Sequence, residues 1–459
     1  MTMADTSEID RLIDEMIESR VNFHDYVSKM VLSRPNYVPG AHIELMCNTI
    51  QAFLESEHRG LIVTTPPRHM KSTICSECLP AWFLSNDPEH REVMLASYNQ
   101  GQARKMARSC RQLFDEEWHQ LIFDNPQIVI DNADELMLGG KLNGRPSLIA
   151  AGIGAGLTGS GADLIIIDDP IKDAEEASSD TIRDNIHDWF TSVAMTRLSP
   201  QGKVLIVMTR WHHDDLVGRL LKDNPEGWDV LHLPAVDPEG RALWPERYSI
   251  DRLMSIKADV GTRVFEALYQ GRPTPDEGGF FKREWFKITD RPFPPDAYRC
   301  RYWDKAATAG GGDWTTGVLL ASKDGQYCIE DVVHVQYSPK DVQAVIRSTA
   351  QQDGPNVRIR MEQEPGSSGV EVIDLYARRI LQGYDFRPDK VTGPKDIRAG
   401  PLSAALENGN VSILRASWNR DYIQEFCEFP LGAHDDQVDA TSGAFRELTD
   451  TGPHRIGFF

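Results

Sequence analysis

A lysine followed by a hydroxyl residue, where an apolar strand turns into a helix, is an arrangement that can hold a phosphate. Residues 61–65 (LIVTT) read as a buried strand, PPRHMKST (66–73) as a tight turn, and ICSECLPAWFLSN (74–86) as a helix. In that setting Lys71 reaches toward the terminal phosphates of a nucleotide and Ser72 holds Mg²⁺. The free N–H groups of His69, Met70, Lys71, Ser72 and Thr73 surround the phosphates at the helix start. The segment departs from GxxxxGK[ST], because Thr65 and Met70 stand where glycines are usual. Taken alone, an ordinary strand-to-helix turn with an exposed lysine is the simpler account of it. Downstream, DLIIIDDP (163–170) is an apolar strand ending in two acids. Asp168 sits where an aspartate binds the Mg²⁺ shell, and Asp169 where a residue polarises the attacking water. Glutamate is usual at the second position, and aspartate is one methylene shorter.

A second set of residues suits different chemistry. Asp304 ends the run YRCRYWD, Glu362 lies in VRIRMEQE, and Asp435 and Asp436 open a helix in GAHDDQVDATSGAF. Asp439, four residues after Asp435, projects from the same helical face. Acids on one strand, a second strand and a closing helix can clamp two divalent ions about 3.5–4 Å apart. Hard carboxylate oxygens suit Mg²⁺ or Mn²⁺. With both ions bound, such a site supplies the attacking water and stabilises the leaving oxygen of a phosphodiester. Asp313, in GGGDWTTG, is a secondary candidate. Any one of these acids alone reads more simply as a surface or capping residue, Asp435 as a helix N-cap for instance. Lys395 and Arg398, in GPKDIRAGPLS, read as contacts to DNA phosphates, with solvated surface as the even alternative.

The elements that must position these residues follow from periodicity. Between 60 and 235, short β-branched runs (61–65, 92–98, 164–168, 204–209, 230–233) alternate with helical stretches. Such alternation predicts βαβ units and a mostly parallel sheet covered on both faces. Residues 1–34 read as a helical segment and 35–235 as the nucleotide-binding domain. Residues 236–297 are rich in Pro and Gly and read as a small subdomain and linker. From 298 the pattern restarts as an antiparallel meander, then a helix near 339–352, a strand over 357–364, and α/β alternation to 447. That order is RNase H-like. Residues 448–459 read as a tail.

Composition narrows the class. The chain has 459 residues and a net charge of −20, which argues against a general nucleic-acid coat protein. It leaves room for a DNA enzyme with a local basic track. Seven scattered cysteines fit a reduced compartment. Cys75 and Cys78 form an isolated CxxC that reads as buried small side chains in a helix. No apolar run is long enough to cross a membrane, and the acidic N-terminus lacks the pattern of a signal peptide. The helix QGQARKMARSCRQLF carries Arg104, Lys105, Arg108 and Arg111 as an exposed basic face; one of them is also a candidate to reach a neighbouring subunit's ATP.

Six motifs in order then point to a family. PPRHMKST, LIIIDDP, MTRWHHDDLVGRL, WDKAATAGGGDWTTG, EQEPGSSG and HDDQVDA, within roughly residues 35–447, resemble the large terminase subunit of tailed bacteriophages. The resemblance implies an α/β chain: a P-loop NTPase of the ASCE type followed by an RNase H-like nuclease. It implies ATP and Mg²⁺ as cofactors, with Mn²⁺ supporting nuclease activity. Arg68 becomes the loop arginine that assists phosphoryl transfer, Thr209 a sensor of the γ-phosphate, and Tyr37, Val38 and His42 the loose match to an adenine-binding segment. The catalytic set is Lys71, Arg68, Asp169, Asp304, Glu362 and Asp435. The metal set is Ser72, Asp168, Asp304, Glu362, Asp435, Asp436 and Asp439. Expected partners are double-stranded DNA, the portal protein and the small terminase subunit. The expected assembly is a homo-oligomeric ring on the portal, with a monomer or weak association in isolation, no membrane, and a place in the host cell cytoplasm. The N-terminal helix (5–20) and the tail HRIGFF (454–459) are the candidate contact segments. Two other readings stand beside this one. The first is an RNase H-like nuclease with a nucleotide-binding but non-hydrolysing regulatory domain. The second is a chromosomal helicase-nuclease, which the absence of a second motor domain disfavours.

Overall fold

The computed structural model describes residues 3–32, 37–124, 127–141, 144–155, 161–273, 280–305, 314–364, 366–430, 432 and 434–450. Asp313 and the tail 454–459 lie outside the described residues. The chain forms two compact units, Met1–Ile256 with Val264–Thr274, and Lys257–Arg263 with Pro275–Phe459.

The first unit is built on eight strands: β1 (Gly60–Thr64), β2 (Val93–Ser97), β3 (Ile128–Asp131), β4 (Glu135–Leu138), β5 (Leu148–Gly152), β6 (Ala162–Asp168), β7 (Leu198–Met208) and β8 (Asp229–His232). Their order is β3-β4-β5-β2-β6-β7-β1-β8. The six strands from β5 to β8 pair in parallel, while β3, β4 and β5 pair antiparallel at one edge. β1, β2 and β5 are buried along their whole length. That is the expected signature of strands covered by helices on both faces. The predicted runs all appear; β3, β4 and β5 were not among them.

Local chemistry fixes the helices. Asn99 caps Gln100–Phe114 by accepting the Gln102 N–H at 2.8 Å. That helix buries Ala103, Met106, Ala107, Cys110, Leu113 and Phe114, the spacing of one helical face. Its outer face is less open than expected, since Arg104 pairs with Asp134 at 2.7 Å and Arg111 with Asp131 at 3.2 Å. Cys75 and Cys78 are free and buried. The Pro-rich stretch after 236 contributes Trp244, fully buried in the core of this unit.

The second unit carries β9 (Lys287–Thr289), β10 (Tyr298–Asp304), β11 (Thr315–Lys323), β12 (Gln326–Val335), β13 (Arg358–Glu362), β14 (Phe386–Asp389) and β15 (Val411–Leu414). The order is β14-β13-β10-β11-β12-β15-β9. β10, β11 and β12 form the antiparallel meander, and β13 and β14 add in parallel beside β10. On β10, the buried Arg301 bonds both oxygens of Asp353 at 2.8 Å and Asp331 on β12 at 2.8 Å. Among the described residues, no helix is long and apolar enough to cross a membrane.

Candidate active sites

In the first unit, parallel pairing brings the predicted phosphate-site residues to one sheet edge. β7 lies between β1 and β6, with Thr64 opposite Met208 and Asp168 opposite Val207. Thr65, Asp168, Asp169 and Thr209 therefore emerge together at the carboxyl ends of three adjacent strands. Lys71 is buried, and its Nζ donates to Thr209 Oγ1 at 3.0 Å and Asp169 Oδ2 at 2.9 Å. The Thr209 N–H donates to Asp169 Oδ1 at 2.9 Å. Burial works to lower the Lys71 pKa, but the charges of Asp169 and Asp168 outweigh it and hold the ammonium above its ordinary value.

Asp168 is 1% exposed. Burial first, then the charge of Asp169, raise its carboxyl to about 6, against the opposing pull of Lys71. Its Oδ2 accepts from Ser76 Oγ at 2.7 Å, the Ser72 hydroxyl lies near enough to favour the charged form, and Oδ1 is buried with no hydrogen bond of good geometry. An orphaned carboxylate oxygen of this kind fits a Mg²⁺ shell. Ser76 was missed by sequence reasoning; it lies one helical turn after Ser72, a spacing that would have found it.

The loop itself explains how it dispenses with glycine. Arg68 and Met70 hold φ of 60° and 69°. The left-handed region costs an L-residue roughly 1–2 kcal/mol, so the Met70 backbone takes a glycine conformation without being glycine. His69, between them, fastens the turn. Its Nδ1 lies 2.8 Å from the Pro67 carbonyl, and its ring stacks on Tyr248 at 4.9 Å and 19°. His42 and Trp244 pack edge-on against it. His42, matched loosely to an adenine segment, is thus buried as a support of the phosphate loop. Tyr37 instead lines a cavity of about 330 Å³ with Pro39, Gly40, Ile43, Glu44 and Glu246. Arg68 is exposed. Arg210 folds back onto the buried Asp215 at 2.7 Å.

In the second unit, the pairing of Trp303 with Met361 places Asp304 and Glu362 side by side at the ends of β10 and β13. The helix Asp436–Asp450 brings in Asp436 and Asp439. Burial first, then the charges of Glu362, Asp439 and Asp436, hold the Asp304 carboxyl well above its usual range. Burial likewise raises Glu362, Asp436 and Asp439. Asp435 stands just ahead of the helix, its carboxylate on Lys395 at 2.6 Å. Asp439 and Asp436 are thus the helix acids whose charge acts on Asp304. Lys395 also contacts Asp439 at 2.9 Å, and Arg398 joins Asp439 at 3.0 Å to Glu362 at 3.7 Å. Both basic residues, read from sequence as phosphate contacts, are turned into the acid cluster because its charge attracts them. Asp389, at the end of β14, was missed; it accepts from Tyr302 and pairs with Arg446.

Among the described residues, no three His, Cys, Asp or Glu side chains converge on one ion position. The donor set still fits hard divalent cations. Its acids are hard, crowded and partly buried carboxylates that a further positive charge stabilises.

Comparison with known proteins gives a consistent answer. A family model described as "Terminase large subunit, T4likevirus-type, N-terminal" matches residues 62–288, and one described as "Terminase RNaseH-like domain" matches 301–448. No curated protein matches. Among solved structures, the large terminase of a thermophilic bacteriophage has a TM-score of 0.51 at 10% identity, covering 94% of this chain and 98% of that one. The large terminase of bacteriophage HK97 has a TM-score of 0.40 at 12% identity, covering 93% and 98%.

Proposed function

From the premise that this chain belongs to the large terminase family, with its ATPase and RNase H-like nuclease domains, we propose that it uses ATP hydrolysis to drive viral double-stranded DNA into a prohead and cuts concatemeric DNA with a metal-dependent endonuclease. The observation that carries the motor half is Lys71 held between Thr209 and Asp169 beside the orphaned oxygen of Asp168.

Each residue has a definable task. Lys71 exchanges its bond to Asp169 for the terminal phosphates of ATP, which leaves an Asp169 oxygen to orient the attacking water. Thr209 touches both Lys71 and Asp169, so loss of the γ-phosphate is transmitted along β7. Arg68, exposed on the loop, neutralises charge in the transition state. Ser72 and Asp168 would hold Mg²⁺, which would balance the charge of the phosphates. In the second unit Asp304, Glu362, Asp436 and Asp439, with Asp435 at the rim, would hold Mg²⁺ or Mn²⁺. Divalent ions bound there would supply a metal-activated water as nucleophile and stabilise the leaving oxygen.

The assembly reading is a ring on the portal, supplied with DNA by the small subunit, in the host cytoplasm. Ile13, Ile17 and Val21 support it, because they form an exposed apolar stripe at four-residue spacing on the helix Met3–Val21. A charge of −20 favours dispersed subunits until a partner gathers them. The decisive experiment measures ATP turnover by the full chain with DNA and portal-bearing proheads, and scores protected DNA. Packaging that depends on ATP is expected. ATP binding without turnover under those conditions would refute the motor and leave a nuclease with a regulatory nucleotide domain.

A further inference from the structure

We propose that Lys395 is a built-in counter-ion that holds the place of one divalent cation in the acid cluster, so that the ion binds there only when the ammonium leaves. The inference rests on the nuclease reading above. Lys395 Nζ lies 2.6 Å from Asp435 Oδ1 and 2.9 Å from Asp439 Oδ2. It therefore ties together two acids that the helical repeat puts on one face. Arg398, one turn further along the helix Lys395–Glu407, takes the other oxygen of Asp439 and reaches Glu362. Every charged oxygen of Asp439, itself 4% exposed, is thus engaged by a cation of the chain.

The two basic residues differ in what they can do next. The Arg398 side chain is 13% exposed, and its planar fork spans two acids. The Lys395 side chain is 48% exposed and ends in a compact ammonium on a flexible stem, free to swing into solvent. Mg²⁺ sits about 2.0–2.1 Å from its carboxylate oxygens. An ion at that distance and an ammonium already within hydrogen-bonding reach of the same oxygens compete for the same lone pairs. Two cations that close also repel strongly. Occupancy is therefore exclusive: Lys395 offsets the crowded carboxylates in the absence of metal, and its arm is released when the ion arrives.

The test is Mn²⁺ binding to the full chain without DNA, followed by calorimetry and by the electron spin resonance of free Mn²⁺. K395Q and K395A should each bind the weaker Mn²⁺ about tenfold more tightly than wild type. K390Q, which removes an exposed lysine five residues earlier, should stay within twofold of wild type. Folded K395Q and K395A with wild-type Mn²⁺ affinity overturn the proposal, the fold being checked by circular dichroism. Equal tightening by K390Q overturns it as well, because the effect is then long-range charge. Absence of Mn²⁺ binding in wild type and both Lys395 variants alike overturns the nuclease reading itself, and the place-holding role with it.

Discussion

Replacing Asp168 by asparagine should stabilise the first unit while abolishing its chemistry. The Asp168 carboxyl is 1% exposed and is held at about 6 instead of 3.8. At about 1.4 kcal/mol per pH unit, that difference amounts to roughly 3 kcal/mol. The sign follows from proton linkage. Below 3.8 the carboxyl is protonated in both folded and unfolded chains, and the group contributes nothing. Between 3.8 and about 6 the unfolded chain has released its proton and the folded one has not, so stability falls as pH rises. Above about 6 the loss is complete. Asparagine does not titrate, and the groups that do not interact with Asp168 cancel in the difference between the two proteins. Urea unfolding of wild type and Asp168→Asn at pH 4, 5, 6 and 8 reads that difference directly. The variant's advantage should grow by roughly 2–3 kcal/mol from pH 4 to pH 8 and level off near neutrality. A difference independent of pH would refute the argument, because it would mean that burial and Asp169 do not hold the proton on Asp168. Saturating Mg²⁺ and nucleotide should shrink the gap at pH 8 by stabilising the wild-type carboxylate.

Other expectations follow from the geometry. Lys71→Ala should reduce ATP hydrolysis by at least about 100-fold and leave plasmid cutting intact, read by phosphate release and gel assay on the same preparation. Asp304→Ala, Glu362→Ala and Asp439→Ala should each lower Mn²⁺-supported plasmid cutting by about 100-fold or more, with EDTA doing the same to wild type; cutting at the wild-type rate by any one would remove that residue from the metal set. Arg301→Met should destabilise the second unit by about 3–5 kcal/mol, because Asp353 is left buried without its partner; a shift below about 1 kcal/mol in chemical unfolding would show that water reaches the pair.

The alternation of apolar runs made most of both sheets legible, since buried parallel strands and a meander each leave a pattern in sequence. The strands β3 to β5 left a weaker one: Ile128–Asp131 is mostly exposed, and Leu148–Gly152 includes two alanines and a glycine. Asp168 and Thr209 could be singled out because each stands at the end of a strong strand signal, and Lys71 because it follows one across a short turn. The support of the loop was not, because His69, Trp244 and Tyr248 meet across about 180 residues and only packing joins them. Lys395 and Arg398 were read as phosphate contacts, and nothing in the sequence revealed that without DNA they pair with the acid cluster. A basic residue in a polar loop looks the same in sequence whether it faces solvent or a cluster of carboxylates three elements away.

The left-handed backbone at Arg68 and Met70 has a thermodynamic consequence beyond local shape. A glycine at position 70 would remove the steric penalty in the folded chain, yet it would also let the loop wander between conformations whenever nucleotide is away. Side chains at these positions, with His69 wedged against Tyr248, narrow that wandering before any ligand arrives. The entropy of ordering the loop is therefore taken from folding and not from binding. Nucleotide then meets a preorganised cradle, and its affinity depends on contacts more than on closure. A chain built this way trades some folding stability for a loop that resets to one geometry after every turnover.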